Sequence, residues 1–242
     1  MKNVKAVFKK QVKDIRKNVG VLIQFIIYPA IAYIMTVMVA RSGYQAEHIP
    51  DTMFVTMFSA IFVGMALIPS TAGIVTEDRE RKSLRFLIMA GVRPSSYLIG
   101  IGGVIFTLSL LPSLAFSLMG GFRGVEFVLF MAAMMSGVAA STLLGLSLGI
   151  FTKNQQAATG LTLPVSMVLG FGPMIGNFNE DVRRFFTPFY TQQIDTLING
   201  FESVDGNLNS TEVLQSFGII WLNVAVFIVI FAYVFSKKGL QG

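Results

Sequence analysis

TEDRERKSLRFLIMAGVRPSSYLIG, residues 76–100, is the one long, densely charged run bounded on both sides by long apolar segments. Glu77, Asp78, Arg79, Glu80, Arg81 and Lys82 all carry charge. Charge this dense does not sit in hydrocarbon, so the run belongs at a membrane face or against a partner protein. Leu84, Leu87 and Ile88 recur at i, i+3 and i+4, which predicts an apolar face on a short helix from about Asp78 to Met89. Gly91 and Pro94 then stop that helix before the next apolar run begins. A solvated loop between two spans is the plainer reading. The sharper one is a docking helix on the cytoplasmic face, through which another protein moves the spans. On that reading Glu80 and Arg81 select the partner by charge, and Leu84 and Leu87 supply buried contact area.

The composition agrees with a membrane setting. The 242 residues are 53% hydrophobic and only 13% charged, with a mean hydropathy of +0.66, beyond the range of soluble domains. The chain has no cysteine, which excludes disulfides, thiolate metal sites and cysteine nucleophiles. A single histidine, His48, leaves no multi-histidine metal site. The net charge of +6 suggests nucleic acid or an acidic lipid surface, and its distribution along the chain favours lipid. The first apolar run follows a long basic segment, reaches full span length and lacks a small-residue cleavage site, so it reads as a retained anchor rather than a signal peptide.

Residues 4–19 place Val4, Val7, Phe8, Val12, Ile15 and Val19 at helical spacing, with Lys5, Lys9, Lys10, Lys13 and Arg16 largely opposite. Such a helix lies in the headgroup layer with its apolar side down, and Phe8, Val12 and Ile15 are its expected anchors. Six apolar segments follow, each near the roughly 20 residues that cross a bilayer: about 20–40, 52–75, 97–119, 126–151, 157–176 and 213–236. The chain thus reads as one membrane domain over 1–242, an all-α integral membrane protein. Pro29, Pro69, Pro112, Pro164 and Pro173 fall inside spans, where neighbouring helices satisfy the carbonyls they free.

Orientation follows from Lys and Arg. With a cytoplasmic N-terminus, fifteen of the nineteen basic residues fall inside, and only Arg41, Arg123, Arg183 and Arg184 fall outside. Both termini are then cytoplasmic. The one substantial external loop, 177–212, holds Thr187-Pro188 as a helix start. Tyr190, Ile194, Leu197, Ile198 and Phe201 then share one face. This helix is expected to lie on or dip into the outer leaflet. A turn follows at Asn207–Ser210.

No span carries a charge near its middle, so buried proton or ion relays have no obvious seat. The mid-span polar residues Gln24, Ser141, Thr162 and Asn223 read as interhelical glue, with Gly145 and Gly149 as a close-packing pair. No GxxxxGK[ST] phosphate loop occurs anywhere in the sequence. Work done by this protein therefore draws its energy from another chain.

The layout and the charged run resemble the permease subunits of ABC-2-type exporters. Their loop reads approximately E-R-E-x-G-T-L-x-x-L-L, then V-S-x-x-x-Y-L-x-G-K. Here Asp78-Arg79-Glu80-Arg81-Lys82-Ser83-Leu84-Arg85-Phe86-Leu87-Ile88 and Val92-Arg93-Pro94-Ser95-Ser96-Tyr97-Leu98-Ile99-Gly100 follow that register. Lys82 stands where the family has glycine, Ser83 where it has threonine, and Ile101 where it has lysine. The resemblance implies an interfacial N-terminal helix, six spans, a coupling helix between spans two and three, and short external helices between spans five and six. It implies a cytoplasmic ATPase in two copies, pressing on Asp78, Arg79, Glu80, Arg81, Leu84, Leu87 and Ile88, with ATP and Mg held by that ATPase and no cofactor in this chain. It also implies a second permease chain, identical or not, in a bacterial plasma membrane.

The expected function is export of an amphipathic or hydrophobic substrate: a drug, lipid or membrane-active peptide. An exporter of polysaccharide or teichoic acid is the nearest rival, and one Trp and six Tyr offer it few stacking platforms. A membrane scaffold or immunity protein that sequesters a peptide is the rival from another class. An enzyme lacks catalytic groups, and nucleic acid is not an expected partner. The topology is directly testable in this cysteine-free chain. A cysteine placed at Asn207 is expected to react with an impermeant thiol reagent from outside and one at Ser83 is not; the reverse pattern overturns the orientation.

Overall fold

The computed structural model describes residues 2–41, 52–201 and 210–238; His48 and residues 207–209 of the expected turn lie outside them. Within these residues the chain is built of helices. They are α1 (Lys2–Ile15), α2 (Val19–Arg41), α3 (Met53–Ile61), a π-helical segment (Phe62–Ala66), α4 (Leu67–Glu80) and α5 (Ser83–Met89). After these come α6 (Pro94–Met119), α7 (Gly124–Phe151), α8 (Gln155–Gly176), α9 (Glu180–Phe186), α10 (Tyr190–Gly200) and α11 (Ser210–Lys238). Six stretches are long and apolar enough to cross a membrane: α2, α3 through α4, α6, α7, α8 and α11. The protein is a multi-pass membrane protein.

Local chemistry sets most boundaries. Asn18 breaks α1 from α2, and its side-chain oxygen accepts from Val21 N at 3.3 Å. Pro94 opens α6, where its missing N–H costs nothing. Asn154 caps α8 by accepting from Ala157 N at 2.8 Å. Span two runs further than hydropathy predicts, through Glu80 rather than Val75. Its middle is the π segment, where one extra residue per turn widens the helix.

The spans pack through small residues, since lipid gives no hydrophobic drive for helix association. Gly145 and Gly149 of α7 meet the backbone of α4. A Cβ on Gly145 would stand 2.7 Å from Ile68 O, and one on Gly149 2.9 Å from Ala72 O. Gly64, in the π segment, lies equally close to Gly170 of α8. Polar residues fasten other seams: Ser70 of α4 donates to Gln24 of α2, and Asn223 Nδ2 of α11 to Pro188 O at 2.8 Å.

Two elements pack differently from the sequence expectation. The apolar side of α1 rests on α6, with Val7 against Gly100 and Phe8 beside Gly103. Its buried stripe is Val7, Gln11 and Ile15, while Phe8 and Val12 are only half-buried. A glycine surface on α6 offers α1 closer packing than lipid does. Between spans five and six the chain folds as two short helices. Phe186 at the end of α9 lies against Gly172 in α8, so α9 turns back into the bundle. From there α10 climbs out again, with Tyr190 bonded to Ser141 in the middle of α7 and Asn177, just past α8, bonded to Asp195. Thr187 ends α9 instead of starting α10, which begins at Tyr190 after Phe189. The stripe Tyr190, Ile194, Leu197 and Ile198 is buried in protein rather than in lipid, and Phe201 is half-buried.

The α4–α7 seam gives a direct test. Replacing Gly149 by Val forces backbone apart and is expected to cost about 1–3 kcal/mol, read as a lower unfolding midpoint in detergent. An unchanged midpoint contradicts the close approach.

Candidate functional site

Consecutive residues on a helix point about 100° apart, so three charged residues in the last turn of α4 reach three different neighbours. Asp78 points to α1, α5 and α6. Its Oδ1 accepts from Lys10 Nζ and from Ser83 Oγ, each at 2.7 Å. Its Oδ2 accepts from Gln11 Nε2 at 2.6 Å and from Tyr97 Oη at 2.7 Å. Asp78 is 7% exposed, and its carboxylate accepts from all four donors. Arg79 reaches α7, and its Nη1 donates to Ile150 O at 2.9 Å and Thr152 O at 2.8 Å, placing a cation on that helix's C-terminus. Glu80 reaches α8, accepting from Gln155 N at 2.8 Å and placing an anion on its N-terminus. Both pairings run with the helix dipoles.

Asp78, Arg79 and Glu80 therefore sit on α4, not on a helix that continues to Met89. The break falls at Lys82, which adopts a left-handed φ of 56°. That conformation costs a residue with a Cβ about 1–2 kcal/mol, and it is the position where the resembling permeases carry glycine. α5 starts at Ser83 and ends before Gly91, at φ 80°. On α5, Phe86 and Met89 stand 69% and 75% exposed, while Leu87 turns in against the core. The side chains of Leu84 and Ile88 lie outside the described ones. Arg81 is mostly exposed and pairs with Glu77 at 2.8 Å, an ion pair worth little at a surface. Lys10, Gln11, Ser83 and Tyr97 were not singled out as site residues by sequence reasoning. Tyr97 had a visible signal, the Y of the second loop motif; Lys10 and Gln11 had none beyond belonging to an amphipathic helix.

Beside this hub lies a cavity of about 730 Å3 between α1, α4 and the start of α8, with Lys10, Lys17, Glu77 and Arg81 among its walls. A second cavity, of about 440 Å3, adjoins it at Asn18, Glu77 and Gln155 and continues along α2, α4 and α8 past Gln24, Tyr28 and Met65. Deeper in the bundle, Ser141 Oγ donates to Val63 O at 2.6 Å and lies 2.7 Å from Tyr190 Oη. A carbonyl of the π segment is thus tied through α7 to α10.

The family described as "ABC-2 family transporter protein" matches residues 24–233. This chain belongs to that family. The match begins inside α2 and ends inside α11, so every span of this ABC-2 permease falls within it wholly or in large part, and α1 precedes it. A search of curated proteins finds no match. As a family member the chain is a membrane component of a transporter.

In this ABC-2 permease the hub makes the near end of α4 rigid against α1, α6, α7 and α8, while α5 hangs from it by Ser83. From α5 the contact runs through Ser83 to Asp78, and hydrogen bonds of 2.6–2.9 Å join this end of α4 to four further helices. Removing the carboxylate leaves Gln11 and Tyr97 without their acceptor and Lys10 with Asp14 alone, at 3.2 Å. Asp78→Ala is expected to destabilise the folded protein by about 3–5 kcal/mol, measured by SDS titration of the purified chain. A loss below about 1 kcal/mol, the worth of an ordinary surface pair, contradicts a central role for the hub.

Proposed function

We propose that this chain is the membrane-spanning subunit of an exporter whose ATPase is a separate cytoplasmic protein docking on α5. One observation carries the reading: α5 presents Phe86 and Met89 to solvent, and the residues around it lock its base to the spans. An exposed apolar pair on a membrane protein's polar end wants a covering surface. The absence of a phosphate loop from the sequence makes that surface the natural seat of an ATP-hydrolysing partner. The Lys and Arg distribution supports a cytoplasmic location for α1, α5 and both termini, in a plasma membrane. Two permease chains and two ATPases form the working unit, since six spans make half of the usual set.

The substrate class proposed is amphipathic or hydrophobic. The cavity past Gln24, Tyr28, Met65 and Leu163 supports it, since it offers mixed polar and greasy walls open beside the charged hub. Transport runs outward on this reading.

Phe86→Asp with Met89→Asp is expected to leave the permease folded and inserted while releasing its ATPase on purification. Losing about 2 kcal/mol or more at such an anchor weakens affinity by more than about tenfold. If the double variant still co-purifies with a fully stimulated ATPase, α5 is not the docking element.

A further inference from the structure

Asp195, in the middle of α10, is fully buried and level with the end of span five. Its Oδ1 accepts from Asn177 Nδ2 at 3.2 Å, and its Oδ2 from Asn199 Nδ2 at 3.0 Å and Gln192 Nε2 at 3.4 Å. All three donors are neutral amides, and two of these bonds are long. Among the described residues, no Lys or Arg comes within ion-pair distance of this carboxylate. The contrast with Asp78, met by an ammonium at 2.7 Å, is direct. A buried carboxylate without a counter-charge is costly, and uptake of a proton relieves it.

A second observation points to the same ligand. Gln192 is 1% exposed, and its Oε1 has no donor. Turned about its last torsion, that amide sets its oxygen toward Asp195 Oδ2. A proton on Asp195 then supplies the donor Oε1 lacks and replaces the weakest bond of the cluster with a stronger one. N–H groups aimed at the carboxyl oppose a metal cation; they favour the charged carboxylate too, so it is burial without a counter-charge that draws the proton.

We propose that Asp195 is a proton-binding site, and that the re-entrant pair α9–α10 packs more firmly in the bundle when it is occupied. The surroundings leave Asp195 to titrate largely alone. α3 and α8 carry no titratable residue, α7 carries only Glu126, and the outer half of α11 only Glu212. On α10 itself, the Tyr190 hydroxyl is engaged by Ser141. Of Glu180, Asp181, Arg183 and Arg184 on α9, Arg183 is the one whose charge acts on Asp195. Burial pushes the carboxyl up to about 6, against the opposing pull of its amide donors and Arg183. Because the folded value lies above the unfolded one, the stability this group contributes is fully present below the ordinary carboxylate range. It is lost as pH rises through about 6.

The test is infrared titration of the purified full chain in lipid nanodiscs from about pH 8 to about pH 5, a window chosen to bracket the shifted value. Hydrogen exchange of α10 is followed in parallel. A protonated-carboxyl band is expected to grow in with a midpoint near 6, together with slower exchange along α10, and both changes are absent from Asp195→Asn. Arg183→Gln, at an exposed position, moves the midpoint up because it removes the one cation favouring the charged form. Should Asp195→Asn fail to fold, the shift in Arg183→Gln decides the matter. No protonated-carboxyl band grown in by the low-pH end of the titration, a band that persists in Asp195→Asn, or a midpoint unmoved by Arg183→Gln overturns the proposal. No step of this test depends on transport or on an ATPase.

Discussion

One carboxylate holds the near end of this bundle together. Asp78 gathers an ammonium, an amide, a hydroxyl and a phenol from α1, α5 and α6. In low dielectric such a network is strong when complete and costly when broken. Arg79 and Glu80 extend it by closing the two helix ends that flank the α7–α8 turn. The charged run that stands out in the sequence is thus spent in part on the protein's own helices, through Asp78, Arg79 and Glu80, while Arg81 and Lys82 stay exposed beside a seven-residue helix.

The six spans were legible because each is an uninterrupted apolar stretch of bilayer length, and length and hydropathy are local properties. The Gly145/Gly149 seam was legible for a similar reason, as small residues at that spacing have few uses other than close contact. Which way a charge points is not local. A dense charged run looks solvent-facing until the helices that answer it are in place, so Asp78, Arg79 and Glu80 read as partner contacts. The stripe on α10 misled in the complementary sense, because Tyr190, Ile194, Leu197 and Ile198 suit lipid and protein equally. Helix α9 was there to be read, with Asn179 followed by Glu180 and Asp181 and then Arg183 and Arg184, a cap and two charge biases in seven residues. The π segment has no signature in residue type, since Phe62–Ala66 differs little from its apolar neighbours.

The two ends of the bundle solve the problem of buried charge differently. At the near end charges are matched with charges and helix dipoles. At the far end a single carboxyl sits among amides, with Arg183 held at a distance. Between them runs span two, joined to α10 through Val63, Ser141 and Tyr190 at mid-depth. Both ends therefore act on one helix, and the bond between them passes through its one irregular segment.

That segment also fixes how the gene can vary. A π turn holds one residue more than its α equivalent, and one residue of helix is about 100° of rotation. Everything after Ala66 is phased by that surplus residue, including the face meeting Gly145 and Gly149 and the direction of Asp78. Deleting a single codon within 62–66 would leave composition and span length almost unchanged, yet swing Asp78 a quarter-turn away from Lys10 and Tyr97. Span two can exchange one apolar residue for another, but its residue count between Met53 and Asp78 is not free to drift.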